Sequence, residues 1–278
     1  MNKSDILFYK VSINLKTKFK TAFHIGSGME GEADSDHGIL KDHLNMPFLP
    51  GSSLKGILRT TIEKIIGALQ AEEPWACGLQ NGLYNKNKKC VNGETDNKGI
   101  FKKANEEYQS SNGDNTALIY ENLCSVCEIF GSQLSSSKVF IDDAHLRNTD
   151  DFVLSKRDGV GIDRDAGVSV DGVKYDYETA NPGLEYEINI EAENVTTKQL
   201  GVLSVGILEW QHSGIRIGGK TSRGIGHASI EEIAVDTVDL NNIEQRKNYL
   251  IEGKKHRVKN AEKFLQDHVD NLIANLKE

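Results

Sequence analysis

Long apolar runs are missing from this chain. No stretch approaches the ~20 consecutive apolar residues that a membrane-spanning helix needs. The opening MNKSDILFYK lacks the build of a secretory signal. The expected setting is therefore the cytoplasm, with no membrane partner. Positive charge is also short: the formal net charge is −8, which argues against a general nucleic-acid coat. There are only 4 prolines, 2 tryptophans and 4 cysteines in 278 residues, an otherwise ordinary globular composition. In a cytoplasmic chain so few cysteines make disulfides a poor expectation and leave metal or simple burial. No Ser–His–Asp or Cys–His set can be argued from the sequence, so triad chemistry has no support.

The cations that are present cluster. Lys10, Lys16, Lys18 and Lys20 share one segment, Lys55 and Arg59 another, Lys156, Arg157 and Arg164 a third, Lys220 and Arg223 a fourth. Acidic residues concentrate in 26–42, 142–151, 171–193 and 231–244. Binding to a polyanion depends on where cations gather rather than on the net count.

Periodicity predicts an α+β protein. Val11, Ile13, Leu15, Thr17 and Phe19 alternate with polar residues, as in a half-buried strand. After a Gly/Asp-rich loop, Ser52 and Ser53 are read as N-caps of a helix to about residue 69, with Leu54, Ile57, Leu58, Ile62 and Ile65 on one face. Residues 138–146 read as a strand, 152–182 as a projecting hairpin, 186–192 as a strand, 197–212 as a helix and 225–233 as a strand. This order is the ferredoxin-like (RRM-like) plan with additions. The expected divisions are residues 1–234 as the RRM-like domain, with an insertion at about 71–134 and a thumb at about 152–182, then a helical extension over 235–278. Residues 234–242 read as a linker. Val258, Ala261, Leu265, Val269, Leu272 and Leu276 mark a terminal amphipathic helix suited to core or subunit packing.

Residues 214–226 form a glycine-rich segment with two cations. Gly214, Gly219, Lys220 and Thr221 satisfy the G-x-x-x-x-G-K-[ST] phosphate-loop pattern, which would suggest a nucleotide hydrolase. That motif works between a strand and a helix, and here the order is reversed. What survives is a loop whose amides and cations suit phosphate along a polymer; a plain solvated turn is the alternative.

Cys124-Ser-Val-Cys127 has a spacing that lets two thiolates reach one tetrahedral ion, and Cys77 and Cys90 fall in the polar insertion. A structural Zn²⁺ held by Cys77, Cys90, Cys124 and Cys127 is one expectation; His145 as a substitute ligand or burial without metal are the others. Asp34, Asp36 and Asp42 lie between a basic strand and a basic helix start. Carboxylates there either hold a hydrated Mg²⁺ or orient a hydroxyl against a phosphodiester, or are simply solvated. His24 is a further acid–base candidate.

Five segments occur in a telling order: His24-Ile-Gly-Ser-Gly, Pro47-Phe-Leu-Pro-Gly-Ser-Ser-Leu-Lys-Gly-Ile-Leu-Arg59, Cys124-Ser-Val-Cys-Glu-Ile-Phe-Gly131, Asp158-Gly-Val-Gly-Ile-Asp-Arg164 and Ile217-Gly-Gly-Lys-Thr-Ser-Arg-Gly-Ile-Gly226. Together they resemble the RAMP superfamily, in particular the repeated backbone subunit of type III CRISPR effector complexes, over residues 8 to 235. The resemblance implies a modified RRM-like fold with a thumb hairpin, stacked in copies along a CRISPR guide RNA beside other effector subunits. It implies metal-dependent cutting of a complementary target RNA by a loop aspartate. Asp36, just before Ile39-Leu40, fits that place best, with Asp34 two residues away. RNA contacts are expected from His24, Ser52, Ser53, Lys55, Arg59, Lys156, Arg157, Arg164, Lys220 and Arg223. Guide pairing would read sequence, leaving backbone and shape to the protein. A purely structural, non-cutting subunit is the alternative of the same class.

Overall fold

A computed structural model describes residues 6–30, 35–68, 76, 106, 109–110, 123–132 and 135–275. Strand β1 (Tyr9–Phe19) leads to helix α1 (Gly51–Ala68), then a short α2 (Ser125–Phe130) and β2 (Val139–Ile141). The hairpin β3 (Leu154–Ile162) and β4 (Ser169–Ala180) follows, then β5 (Glu185–Glu193), α3 (Thr197–Ser213), β6 (Ile215–Arg216) and β7 (His227–Asp239). The chain continues as α4 (Ile243–Glu252), β8 (His256–Arg257) and α5 (Ala261–Ala274). Most of the expected insertion, with Cys77 and Cys90, lies outside the described residues, as does Asp34.

The main sheet runs β2-β5-β1-β7-β6, with β8 beside β7, and every pairing is antiparallel. Sequential β1–α1–β2 and β5–α3–β7 units interleave in it, the connectivity of the ferredoxin-like plan. Alternation in β1 dictates its two faces. Val11, Ile13, Leu15, Thr17 and Phe19 are buried under the helices, while the residues between them turn outward. A bulge at Lys16/Thr17 leaves Glu231 of β7 as the extra residue.

Helix α3 is buried almost all round because it is packed on both flanks. Gly206 lets α1 approach: an added Cβ would lie 2.5 Å from Ile62 Cγ1. Gly201 does the same for α5, where a Cβ would meet the His268 carbonyl at 2.7 Å. A capping box starts the helix, with Thr196 Oγ accepting from Gln199 N and Gln199 Oε1 from Thr196 N.

Several sequence expectations change. Helix α1 begins at Gly51, so Ser52 and Ser53 sit in its first turn; the Gly51 N–H is satisfied by Asp143 Oδ1 at 2.7 Å. Residues 234–239, read as linker, continue β7 opposite β1, as the Ile13↔Val235 and Val11↔Thr237 pairs show. The expected terminal helix is α5 alone; α4 and β8 precede it. The thumb stands as a separate two-stranded sheet, with Val160, Ile162 and Val168 exposed near its tip. No helix among the described residues is long and apolar enough to cross a membrane.

Candidate functional site

The loop after β1 is laid against the root of the thumb by hydrogen bonds to β4. Asp36 N donates to Asp176 Oδ1 at 2.8 Å, and Asp176 N returns the bond to Asp36 Oδ2 at 2.8 Å. One step further, Glu178 N donates to the His37 carbonyl and Ile39 N donates to Glu178 Oε2, both at 3.0 Å. Glu178 and the Ile39 side chain are buried, whereas Asp36 and His37 are exposed. A rigid anchor thus presents an exposed carboxylate. Asp36 Oδ1 has no partner among the described residues. Asp176 is fully engaged: Lys156 Nζ holds its second oxygen at 2.7 Å, and this contact, with the Asp36 amide, keeps its carboxyl below the usual aspartate range.

Asp42, further along the loop, serves the fold. Asp42 Oδ1 accepts from Leu44 N and Met46 N, and Oδ2 meets His145. Burial pulls its pKa upward, but the Met46 and Leu44 amides and His145 outweigh that and leave it lowered. His24 is likewise internal. Its Nδ1 lies 2.7 Å from the Glu178 carbonyl, its own carbonyl accepts from Gly219 N, and burial depresses its pKa, leaving the imidazole neutral at neutral pH.

The glycine segment corrects the nucleotide-loop alternative. Helix α3 precedes it, β7 follows it, and Thr221–Arg223 makes only a three-residue 3₁₀ turn, so no helix N-terminus faces a phosphate there. Three of its glycines are demanded by contact: a Cβ on Gly214 would sit 2.6 Å from the Ala228 carbonyl, one on Gly218 2.2 Å from the His24 carbonyl and one on Gly226 2.2 Å from that of Ile217. Lys220 reaches the thumb, its Nζ 4.2 Å from the Tyr177 ring centroid and 4.8 Å from that of Tyr175. Arg223 Nη1 donates to the Tyr175 hydroxyl.

The remaining expected RNA contacts divide by environment. Ser52, Arg157 and Arg164 are exposed, and neither arginine has a partner among the described residues. Ser53 lines an open groove of about 810 Å³ between α1 and the glycine segment, together with Thr60, Lys64, Arg216 and Thr221. Lys55 bonds Ser137 Oγ at 2.8 Å, and burial lowers its pKa. Arg59 turns inward to Glu63, the Gly131 carbonyl and Cys127 Sγ, the last at 3.3 Å. Cys124 and Cys127 are buried at the start of α2, where Cys124 Sγ accepts from Cys127 N. Among the described residues no group of three or more His, Cys, Asp or Glu is arranged to hold a metal.

Comparison with known proteins fits this arrangement. The RAMP superfamily model matches residues 16–229. The chain belongs to the RAMP superfamily. The matched span holds every part of the site above, from Asp36 to Arg223, and ends before α4. The chain is also similar to the CRISPR system Cms endoribonuclease Csm3 of Streptococcus thermophilus, 25% identical over 238 residues, which cover 83% of this chain and 91% of that protein.

Sequence reading missed Asp176, Glu178, Tyr175, Tyr177, Arg216 and Lys64. Arg216 carried a usable signal, because its flanks Ile215 and Ile217 are buried and alternation sends the arginine outward. For Asp176 and Glu178 no local signal exists; their partners are about 140 residues away in the chain.

Proposed function

We propose that this RAMP protein is a backbone subunit of a type III CRISPR ribonucleoprotein that binds guide RNA along the groove between α1, the glycine segment and the thumb root, and cuts the paired target RNA at Asp36. The observation that carries the reading is the reciprocal Asp36–Asp176 bonding, which fixes the exposed Asp36 while leaving its second oxygen without a partner among the described residues. Similarity to an endoribonuclease of a CRISPR system supports it. Copies of this chain and other effector subunits are the implied partners.

The donor set suits a Mg²⁺ ion or another divalent cation that the target completes. Mg²⁺ favours one or two carboxylates plus phosphate oxygens and retained water, so a lone exposed Asp36 oxygen fits, and a preformed cage is not needed. When bound, the ion supplies charge neutralisation at the phosphodiester. Asp36 would orient the attacking ribose hydroxyl, and the thumb would keep the nucleotide in line. Phosphate contacts come from Ser52, Ser53, Lys64, Arg157, Arg164, Arg216 and Arg223, with Lys156 at the Asp176 edge.

The deciding experiment uses the assembled ribonucleoprotein with Asp36→Ala. Target cleavage is expected to fall by roughly 10²-fold or more, with target affinity equal or slightly higher because a carboxylate has left a phosphate-lined groove. Cutting at the wild-type rate would move the role to Asp34 or, if both variants behave as wild type, to a non-cutting scaffold.

A structural Zn²⁺ on Cys77, Cys90, Cys124 and Cys127 is proposed for the insertion. The Cys127 amide at Cys124 Sγ and the Arg59 guanidinium at Cys127 Sγ suit sulfurs carrying negative charge. About one zinc per chain is expected by elemental analysis after purification without chelator. Metal removal should lower thermal stability while leaving the Asp36 loop chemistry intact.

A further inference from the structure

Lys220 was expected at a phosphate, yet its ammonium lies over two tyrosine rings. Three non-glycine residues among those described have positive φ: Asn45, Asn194 and Lys220. Asparagine tolerates the left-handed region; lysine does not favour it, and φ 62° at Lys220 is a cost that something must offset. The compensation is visible on the thumb. Tyr175 and Tyr177 project from the same side of β4 and stack at 6.3 Å, the His24 ring meets Tyr177 edge-on at 5.6 Å, and the Lys220 ammonium covers both tyrosines. Gly159, opposite Tyr175 on β3, makes the room: a Cβ there would fall 2.4 Å from the Tyr175 ring. Asp176, which holds Asp36, lies between the two clamped tyrosines, and Glu178, which holds Ile39, comes next.

We propose that Lys220 is a positioning residue, a cationic clamp that ties the glycine segment to β4 and thereby fixes the thumb-root register that holds the Asp36 loop. This rests on the reading of Asp36 as the cutting residue, but the clamp itself is measurable without it. A partly desolvated ammonium over tyrosine rings is strong enough to shift a local opening equilibrium by about tenfold. The ammonium is occupied by the rings, so phosphate contact falls to Arg223 and its neighbours.

The first arm uses the full chain. Amide exchange at Asp36, Ile39, Asp176 and Glu178 is expected to speed up about tenfold in Lys220→Met, which keeps the stem and removes the charge. Lys220→Arg, which can still cover the rings, should restore it. Tyr175→Leu should reproduce the Lys220→Met pattern, while Tyr175→Phe, which keeps the ring and loses only the hydroxyl, should not. The second arm uses the assembled complex at saturating target. Lys220→Met should slow cleavage about tenfold with RNA affinity and its salt dependence unchanged, and Lys220→Arg should recover the rate. Unchanged exchange overturns the clamp, and a salt slope that drops by about one would show a phosphate contact instead. Faster exchange with an unchanged saturated cleavage rate would overturn the positioning role. If Asp36→Ala cuts normally, the cutting assignment fails and the exchange arm alone decides the clamp.

Discussion

On the open face of the sheet each lysine of the first strand and its exit meets a carboxylate on a neighbouring strand. Lys10 lies 2.6 Å from Glu191, Lys16 2.6 Å from Glu232, Lys18 2.7 Å from Glu185 and Lys20 2.8 Å from Glu231. Ser12 and Asn14 join the same ladder through Glu191 and Glu187. Around the thumb root and the groove beside it the arrangement is different: only Lys156 among the cations named there meets a carboxylate, that of Asp176, whereas Arg157, Arg216 and Lys64 have no carboxylate partner among the described residues, and Lys220 and Arg223 meet tyrosines. In sequence the two regions looked alike, as clusters of cations. The structure separates them by pairing. Lysines already held by carboxylates neutralise few phosphates, whereas unpaired guanidinium groups around a groove displace the cations condensed on the RNA. Net charge of −8 is therefore compatible with RNA binding on one side only.

The largest effect expected from this contrast concerns cleavage. Asp36→Ala at the thumb root should remove at least roughly 10²-fold of the rate, while Lys16→Ala or Lys18→Ala on the open face should leave it unchanged in the same assembled complex. Equal losses from both faces would erase the distinction.

Affinity should divide the faces next. Arg157→Ala with Arg216→Ala is expected to weaken guide-RNA binding for all sequences alike and to lower the slope of log affinity against log salt by about two contacts' worth. The double variant Lys16→Ala, Lys18→Ala should keep the wild-type slope, read by titrations at several salt concentrations. A reduced slope in the open-face variant would mean that the ladder opens to bind RNA.

Much of the scaffold was legible. Strand β1 showed in the alternation from Val11 to Phe19, α3 in its apolar spacing and the Gly214 that ends it, and the thumb in its glycine-rich, β-like pieces. The end of β7 was not legible, because Asp236 and Asp239 read as linker; Asp236 is in fact tied to Arg257 of β8 at 2.7 Å. The ladder had a faint signal. Glu185, Glu187, Glu191 and Glu193 lie on one face of β5 with the same period as the lysines of β1, but only the register of β1 on β5 brings them together. The exposed Asp36 could be named from its place in the motif order. Its two anchors on β4 could not, because long-range backbone bonds leave no local pattern.

The smallest expected effect is the acid response of the two faces. Burial raises the Glu191 pKa, but hydrogen bonds from Lys10 and Lys255 outweigh it, so the group ends below the ordinary 4.5. Glu231 is lowered from 4.5 by its hydrogen bonds with Lys20 and Ser229. A carboxylate depressed on folding contributes stability that is present above its unfolded value and lost as pH falls through the folded one. The ladder should therefore weaken below about pH 4.5. The Asp176–Lys156 contact at the thumb root, where the ordinary value is 3.8, should weaken only below that. Because these pairs face water, added salt should shrink the effect. Thermal midpoints followed from pH 6 to pH 3 in wild type and Glu191→Gln would test this, with a difference of no more than about 2 °C expected. The glutamine variant should show a shallower fall below about pH 4.5, since it has removed one proton uptake from that range. An identical acid limb in both proteins would show that the ladder is paired in geometry without being coupled to folding, and the contrast between the faces would then rest on RNA binding alone.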